Sequence, residues 1–251
     1  MKTSTWIIVA VVILAAAGII FWSVSSKSDD TVKSNTNSAQ EADPEKDTNK
    51  EEANSNNSNT NQSKNSAECT RTGDTKSMQE KIDIKNKFVT LSVEGFGDIK
   101  VQLYDNDAPK TVENFLRLTN SGYYDCLTFH RIAKGFVIQG GDPTGTGSGG
   151  ESAFGGEFAD ELNPNTPSGK AGYAKGVLAM ANRGPNTNTS QFFIMLADND
   201  LPFNYTIFGK VVAGLDIVDK IGQVAITPQM GPTDGSPVEK VTITKATISD
   251  K

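Results

Sequence analysis

The chain's one histidine, His130, stands immediately before Arg131, and this pairing narrows the chemistry available. A Ser-His-Asp hydrolase would have to take its base from that imidazole, yet the residue lies in a strand-like run beside a permanent cation. No serine occupies a nucleophile-elbow pattern, so triad hydrolysis is not expected. A single imidazole also rules out sites that need several. Cys69 and Cys126 are too few for a thiolate zinc cluster or a disulfide-built scaffold. They stand either as one disulfide, which a non-reducing compartment would allow, or as two independent thiols. Gly145, Gly147 and Gly150 satisfy the glycine spacing of a dinucleotide loop, but no helical pattern follows and no βαβ unit surrounds them. They read instead as a flexible loop. A formal net charge of −6 argues against a broad basic surface for nucleic acid or anionic lipid, and no nucleic-acid partner is expected.

These residues need elements to hold them, and the 251 residues divide by composition into three parts. Trp6 to Trp22 is an apolar run without charge, preceded by Lys2. It is slightly shorter than the roughly 20 residues that span a bilayer comfortably and longer than the roughly 7–15 of a cleaved signal core. The reading is a transmembrane signal anchor over residues 1–22, with secretion after cleavage as the alternative. Residues 23–68 are dominated by Asn, Ser, Thr, Asp, Glu and Lys, which cannot bury a core and suit a disordered polar linker. The charge bias around the anchor places residues 69–251, the globular domain, on the extracytoplasmic side of the cell membrane.

In that domain, β-branched and aromatic runs alternate with turn residues, and the expected class is mainly β. Phe88 to Val93 and Ile99 to Leu103 form an opening hairpin around Glu94-Gly95-Phe96-Gly97. Pro109 starts a helix whose apolar face carries Val112, Phe115, Leu116 and Leu118, and Gly122 stops it. Strands are expected at 128–132, 136–139, 177–181, 191–196 and 206–211, with a second helix over 215–221. The last strand, 241–248, can pair with the first and remove a sheet edge.

The stretches FHRIAKGFVIQGGDPTG (Phe129 to Gly145) and GVLAMANRGPNTNTSQFFIML (Gly176 to Leu196), continued by YTIFGKVVAGLDIVDKI from Tyr205 to Ile221, resemble the signature segments of the cyclophilins. The likeness covers about residues 82 to 250. It implies a closed eight-stranded antiparallel barrel capped by two α-helices, and peptidyl-prolyl cis-trans isomerase activity, in a bacterial, membrane-anchored member. That reaction rotates the bond before proline against a barrier of about 18–20 kcal/mol. No bond breaks, so no cofactor or metal is expected. The catalyst must stabilise a twisted amide whose nitrogen has regained its lone pair. A guanidinium, always charged and rigidly forked, can donate to that nitrogen only as it pyramidalises.

The resemblance gives this role to Arg131 and groups Phe136 and Gln139 with it as catalytic residues. It assigns Phe136, Val137, Phe193 and Leu201 to the apolar slot for the proline ring, although Val137 also suits an ordinary core position. It assigns Gln139, Gln191 and the main chain at Asn182 to the peptide backbone, with Ala181 and His130 along the groove and Tyr205 in the place of the family's pocket histidine. Partners implied are proline-containing peptides and unfolded exported proteins, whose folding the enzyme would assist, and the chain is expected to be a monomer. No tryptophan follows Trp22, which removes the indole that many relatives offer to cyclosporin, so weak cyclosporin binding is expected. Arg183 stands where better-known relatives carry a small residue and should narrow or charge the groove. The rival reading keeps the barrel and groove but makes the domain a catalytically weak peptide-binding or scaffold module of the envelope.

Overall fold

The computed structural model describes Cys69, Met78 and residues 80–250. The apolar run and polar linker assigned to 1–22 and 23–68 lie outside these residues. Among the described residues no helix is long and apolar enough to cross a membrane.

Strand β1 (Phe88–Val93) alternates strictly, with Val89, Leu91 and Val93 buried, and pairs with β2 (Gly97–Leu103), which buries Ile99, Val101 and Leu103. The turn between them has Gly95 at φ +73° and Gly97 at φ +117°, left-handed conformations that glycine adopts without strain. Helix α1 (Pro109–Asn120) follows, with Val112, Phe115, Leu116 and Leu118 fully buried. Full burial of each such side chain stabilises the fold by about 1.5–3 kcal/mol. The helix ends as expected at Gly122, whose φ is +72°. Ala108 offers its first turn no cap, and the Glu161 carboxylate takes that place from outside. It accepts from the main-chain N–H groups of Lys110 (3.0 Å) and Thr111 (2.8 Å). A negative charge there also complements the helix dipole.

Next come β3 (Leu127–Thr128), β4 (Arg131–Ala133), β5 (Val137–Gly140), α2 (Pro167–Ala171), β6 (Val177–Met180), β7 (Phe192–Met195) and β8 (Ile207–Ala213). The chain finishes with α3 (Leu215–Ile221), β9 (Ile226–Gly231), β10 (Asp234–Pro237) and β11 (Thr242–Ser249). All the strands join one antiparallel sheet in the order β3-β11-β1-β2-β8-β6-β7-β5-β4-β10-β9. First and last strands pair as expected, Phe88 opposite Ser249. β3 begins this order and β4 stands near its other end, yet only Phe129 and His130 separate them in the chain. The sheet must therefore curl round until its two ends are neighbours.

This corrects the expected closed eight-stranded barrel with two helices. The sheet has 11 strands, its ladder is open among the described residues, and three helices accompany it. Closure is made by the covalent Phe129-His130 link, which also splits the single strand expected over 128–132. The β9–β10 hairpin and α2 were not expected: β9 is almost wholly exposed and so lacks an alternating apolar pattern, and α2 spans 5 residues, too few to repeat an apolar spacing over two turns.

The curled sheet has two apolar faces. Ile132, Ile138, Leu178, Met180, Phe192, Ile194 and Phe208 point inward with the buried side of α1. Their chain neighbours Ala133, Val137, Val177, Ala179, Phe193, Met195 and Ile207 form a second cluster on the outer face. The two-residue period of the strands thus gives one set of segments a core on one side and a site on the other.

Candidate active site

Register sets the first layer of the site. Arg131 lies opposite Gln139, Gln139 opposite Phe193, Phe193 opposite Ala179 and Ala179 opposite Ile207, so these residues form one row across β4, β5, β7, β6 and β8. The row is polar at the Arg131 end and apolar beyond Gln139. Against its apolar part pack the half-buried side chains of Phe136, Leu201, Phe203 and Tyr205, and Tyr205 meets the Phe193 ring edge-on at 5.6 Å. The result is a shelf suited to a pyrrolidine ring.

At the polar end the side chains are joined by hydrogen bonds. The Asp234 carboxylate takes a fork from Arg131, at 2.9 Å from Nε and 2.7 Å from Nη2. Arg131 Nη1 donates to Gln139 Oε1 at 2.9 Å, and Gln139 Nε2 donates to Gln191 Oε1 at 2.9 Å. Gln191 Nε2 then donates to the carbonyls of Gly147 (3.0 Å) and Gly149 (2.7 Å). Three of the five guanidinium donors are thereby committed, and one N–H on each of Nη1 and Nη2 is left for a ligand.

The glycine loop that receives this relay is folded around Asp142. Its carboxylate accepts from the main-chain N–H groups of Thr144 (2.8 Å), Thr146 (3.1 Å), Gly147 (2.7 Å) and Gly149 (3.2 Å). Partial burial alone would raise this carboxyl, but the Thr144, Gly149 and Gly147 donors together outweigh it and hold it below its ordinary range. A Cβ at Gly149 would lie 2.2 Å from Asp142 Oδ1, so a larger residue there would have to displace the carboxylate that holds the loop. The loop, the relay and β9–β10 enclose a cavity of about 460 Å³ bordered by Arg131, Gln139, Gln191, Ala181, Asn182 and His130. Arg183 stands on its rim, paired with Glu157 at 2.6 Å. His130 is buried and neither ring nitrogen makes a hydrogen bond of good geometry. Burial lowers its pKa, Arg131 adds to the fall, and Asp142 and the Thr128 main chain oppose it. Burial raises the Tyr205 phenol, and Arg131 lies near enough to oppose that rise.

Arg131, fixed by three hydrogen bonds at the polar end of an apolar row, supplies permanent cationic donors that can polarise a bond. The family model described as cyclophilin type peptidyl-prolyl cis-trans isomerase/CLD matches residues 88–248. The chain belongs to that family. Peptidyl-prolyl cis-trans isomerase CYP18-2 of Arabidopsis thaliana is 45% identical over 163 residues, covering 64% of this chain and 93% of that one. Peptidyl-prolyl cis-trans isomerase-like 1 of Bos taurus is 50% identical over 139 residues, 55% of this chain and 81% of the relative. A crystal structure of a Cryptosporidium parvum cyclophilin type isomerase superposes with a TM-score of 0.59 at 38% identity, over 66% of this chain and 98% of its own. The same protein crystallised in the presence of the dipeptide Ala-Pro gives 0.58. The chain is thus a cyclophilin-type isomerase acting on the bond before proline.

The structure divides the residues expected from sequence into two adjoining groups. Arg131, Gln139, Gln191, Ala181, Asn182 and His130 meet at the cavity, while Phe136, Val137, Phe193, Leu201 and Tyr205 form the outer apolar cluster. Val137 is 2% exposed and packs within that cluster, away from the cavity lining. The Asn182 amide is occupied locally, donating to the Asn204 carbonyl at 2.9 Å and accepting from Gly184 N at 3.2 Å. Cys69 and Cys126 are bonded to each other. Sequence reasoning missed Asp234, Asp142 and the cavity wall from β9–β10. Asp142 follows Gly140-Gly141 at the head of the glycine loop and could have been suspected as its anchor. Asp234 carried no local signal.

Proposed function

We propose that Arg131 is the transition-state donor of this isomerase, with the proline ring seated on Phe136, Phe193, Leu201 and Tyr205. What carries this reading is the pair of uncommitted N–H donors on a guanidinium fixed at one end of an apolar row. A planar amide nitrogen offers them no lone pair; a pyramidal one does, so the bond strengthens only as the peptide twists. Gln139 and Gln191 spend their hydrogen bonds on each other, on Arg131 and on the loop, and act chiefly by fixing the donor. Substrates are proline-containing segments of unfolded proteins.

In the same reading the domain, residues 69–251, is a monomer held by residues 1–22 and the 23–68 linker at the extracytoplasmic face of a bacterial membrane, where it assists folding of exported proteins. The uncharged run Trp6 to Trp22 supports the tether, and the Cys69–Cys126 bond supports a non-reducing compartment. The absence of tryptophan after Trp22 supports weak cyclosporin binding. The deciding experiment is turnover of a short Ala-Pro peptide, by protease coupling or NMR exchange, for the full chain and Arg131→Ala. A loss of about 10²-fold or more is expected, the scale of removing a preorganised donor. A folded wild type without turnover would leave a peptide-binding module instead.

A further inference from the structure

The carboxylate that grips Arg131 belongs to the outermost hairpin of the sheet, on a strand with no apolar signature. We infer that Asp234 is a positioning residue for the isomerase reaction: it holds the guanidinium side-on so that the two remaining N–H donors face the peptide. The inference rests on Arg131 being the transition-state donor.

Three observations carry it. The fork is well formed, at 2.9 and 2.7 Å, and its partners are only 11% and 19% exposed at the side chain. Two parallel charge-assisted bonds in a mostly dry setting restrain the guanidinium plane in a way a single bond does not. Second, register delivers the carboxylate. Asp234 lies opposite Ala133, and Arg131 is on the same face two residues earlier. The small Ala133 side chain leaves the diagonal clear, and a one-residue slip of β10 would turn Asp234 to the inner face. The hairpin is fixed in that register by Lys134 N donating to Thr233 O at 2.8 Å, and by Gly235, where a Cβ would stand 2.0 Å from Thr227 O. Third, the other cation on the cavity border, Arg183, has its own partner in Glu157, so the Asp234 charge is not shared with it.

Two effects oppose one another. The clamp raises the fraction of enzyme with a donor correctly aimed, while its negative charge weakens the arginine's pull on the proline nitrogen. Misplacement of a reacting group by about 1 Å costs on the order of 10²-fold, so orientation should win. Ground-state binding rests on the apolar shelf, and the loss should therefore fall on kcat.

The test compares the full chain with D234A, D234N, D234E, R131A and R131A/D234A in peptide turnover, with kcat and KM resolved and unfolding midpoints measured alongside. D234A is expected to lose about 10- to 10²-fold in kcat with KM within about twofold. D234N should lose less, and D234E should recover most of the loss. In the R131A background, D234A should cost nothing further, because it acts through the residue already removed. Equal losses in both backgrounds would reduce Asp234 to a structural role, and a D234N faster than wild type would show the charge to be a brake; either overturns the inference. R131A as fast as wild type sinks the parent reading as well, whereas a slow R131A with an unimpaired D234A sinks this inference alone.

Discussion

Gln191→Leu would cut the relay at its midpoint while nearly conserving volume. Gln191 accepts from Gln139 Nε2 and donates to the carbonyls of Gly147 and Gly149, and it is 7% exposed. Leucine removes all three bonds and sets methyl groups against two carbonyls. At about 1 kcal/mol net for each, with more where a buried group is stranded, the expected loss is about 3 kcal/mol. It should not grow much beyond that, because Asp142 still holds the loop through Thr144, Thr146, Gly147 and Gly149. Urea denaturation should show the loss as a lower midpoint at unchanged slope. The Gln139 amide, freed on one side, no longer fixes its oxygen toward Arg131 Nη1, and kcat/KM is expected to fall roughly tenfold from misorientation. Q191E sharpens the comparison, since it keeps the acceptor toward Gln139 but turns carboxylate oxygen toward two carbonyls. It should lose further stability as pH rises above about 4.3, where an exposed glutamate ionises. A Q191L protein with wild-type midpoint and wild-type turnover would refute the relay.

Three further outcomes follow from other parts of the molecule. Glu161→Ala strips the first turn of α1 of its outside cap and should cost about 1–2 kcal/mol in denaturant unfolding, with Glu161→Gln between it and wild type. Reducing the Cys69–Cys126 bond, which spans a sequence separation of 57, should lower stability by about 2–4 kcal/mol, and turnover at 25 °C should be unchanged because neither cysteine borders the main cavity. His130, whose folded pKa is depressed below 6.5, binds its proton more readily in the unfolded chain. Stability should therefore be full above pH 6.5 and fall as pH drops through and below that value, and His130→Asn should flatten this slope in pH-resolved thermal melts.

Legibility in the sequence tracked how far each residue's role depends on its own neighbours. The β1–β2 hairpin, α1 and α3 could be read because glycine turns, Pro109 and the apolar spacing act locally, and α3 falls at Leu215–Ile221 as expected. The pairing of β1 with β11 was legible from alternation at both chain ends. Strand count and closure were not, because the break at Phe129-His130 and the exposed hairpin β9–β10 depend on tertiary placement. Among candidate site residues, Arg131, Phe136, Gln139, Gln191 and Phe193 could be named because they lie in contiguous segments that resemble the family. Asp234 was not, since 103 residues separate it from Arg131 and only the register of an edge strand brings the two together. That Gln139 and Gln191 spend most of their bonding capacity on each other and on their neighbours was also invisible, because residue type shows capacity and not its use.

If Arg131 is the donor proposed above, the row from Arg131 to Ile207 accounts for a bond rotation catalysed on the outside of a sheet. Neighbouring antiparallel strands lie about 4.8 Å apart, so the backbones of Arg131 on β4 and Phe193 on β7 are separated by roughly twice that, with Gln139 on β5 between them. On the proposed reading, a proline ring resting on Phe193 sets its nitrogen above the Gln139 strand, within reach of a long arginine side chain but not of a short one. Gln139 must then satisfy two demands: it must stay low enough to leave room for the peptide, and it must carry an acceptor for Arg131 and a donor for Gln191. A glutamate would lose the donor, a leucine both, and an aromatic residue would fill the space. On the proposed reading, spacing by the sheet and orientation by the relay do the same work from two sides. The inner face of the same strands, packed as core, keeps both from drifting while the peptide turns.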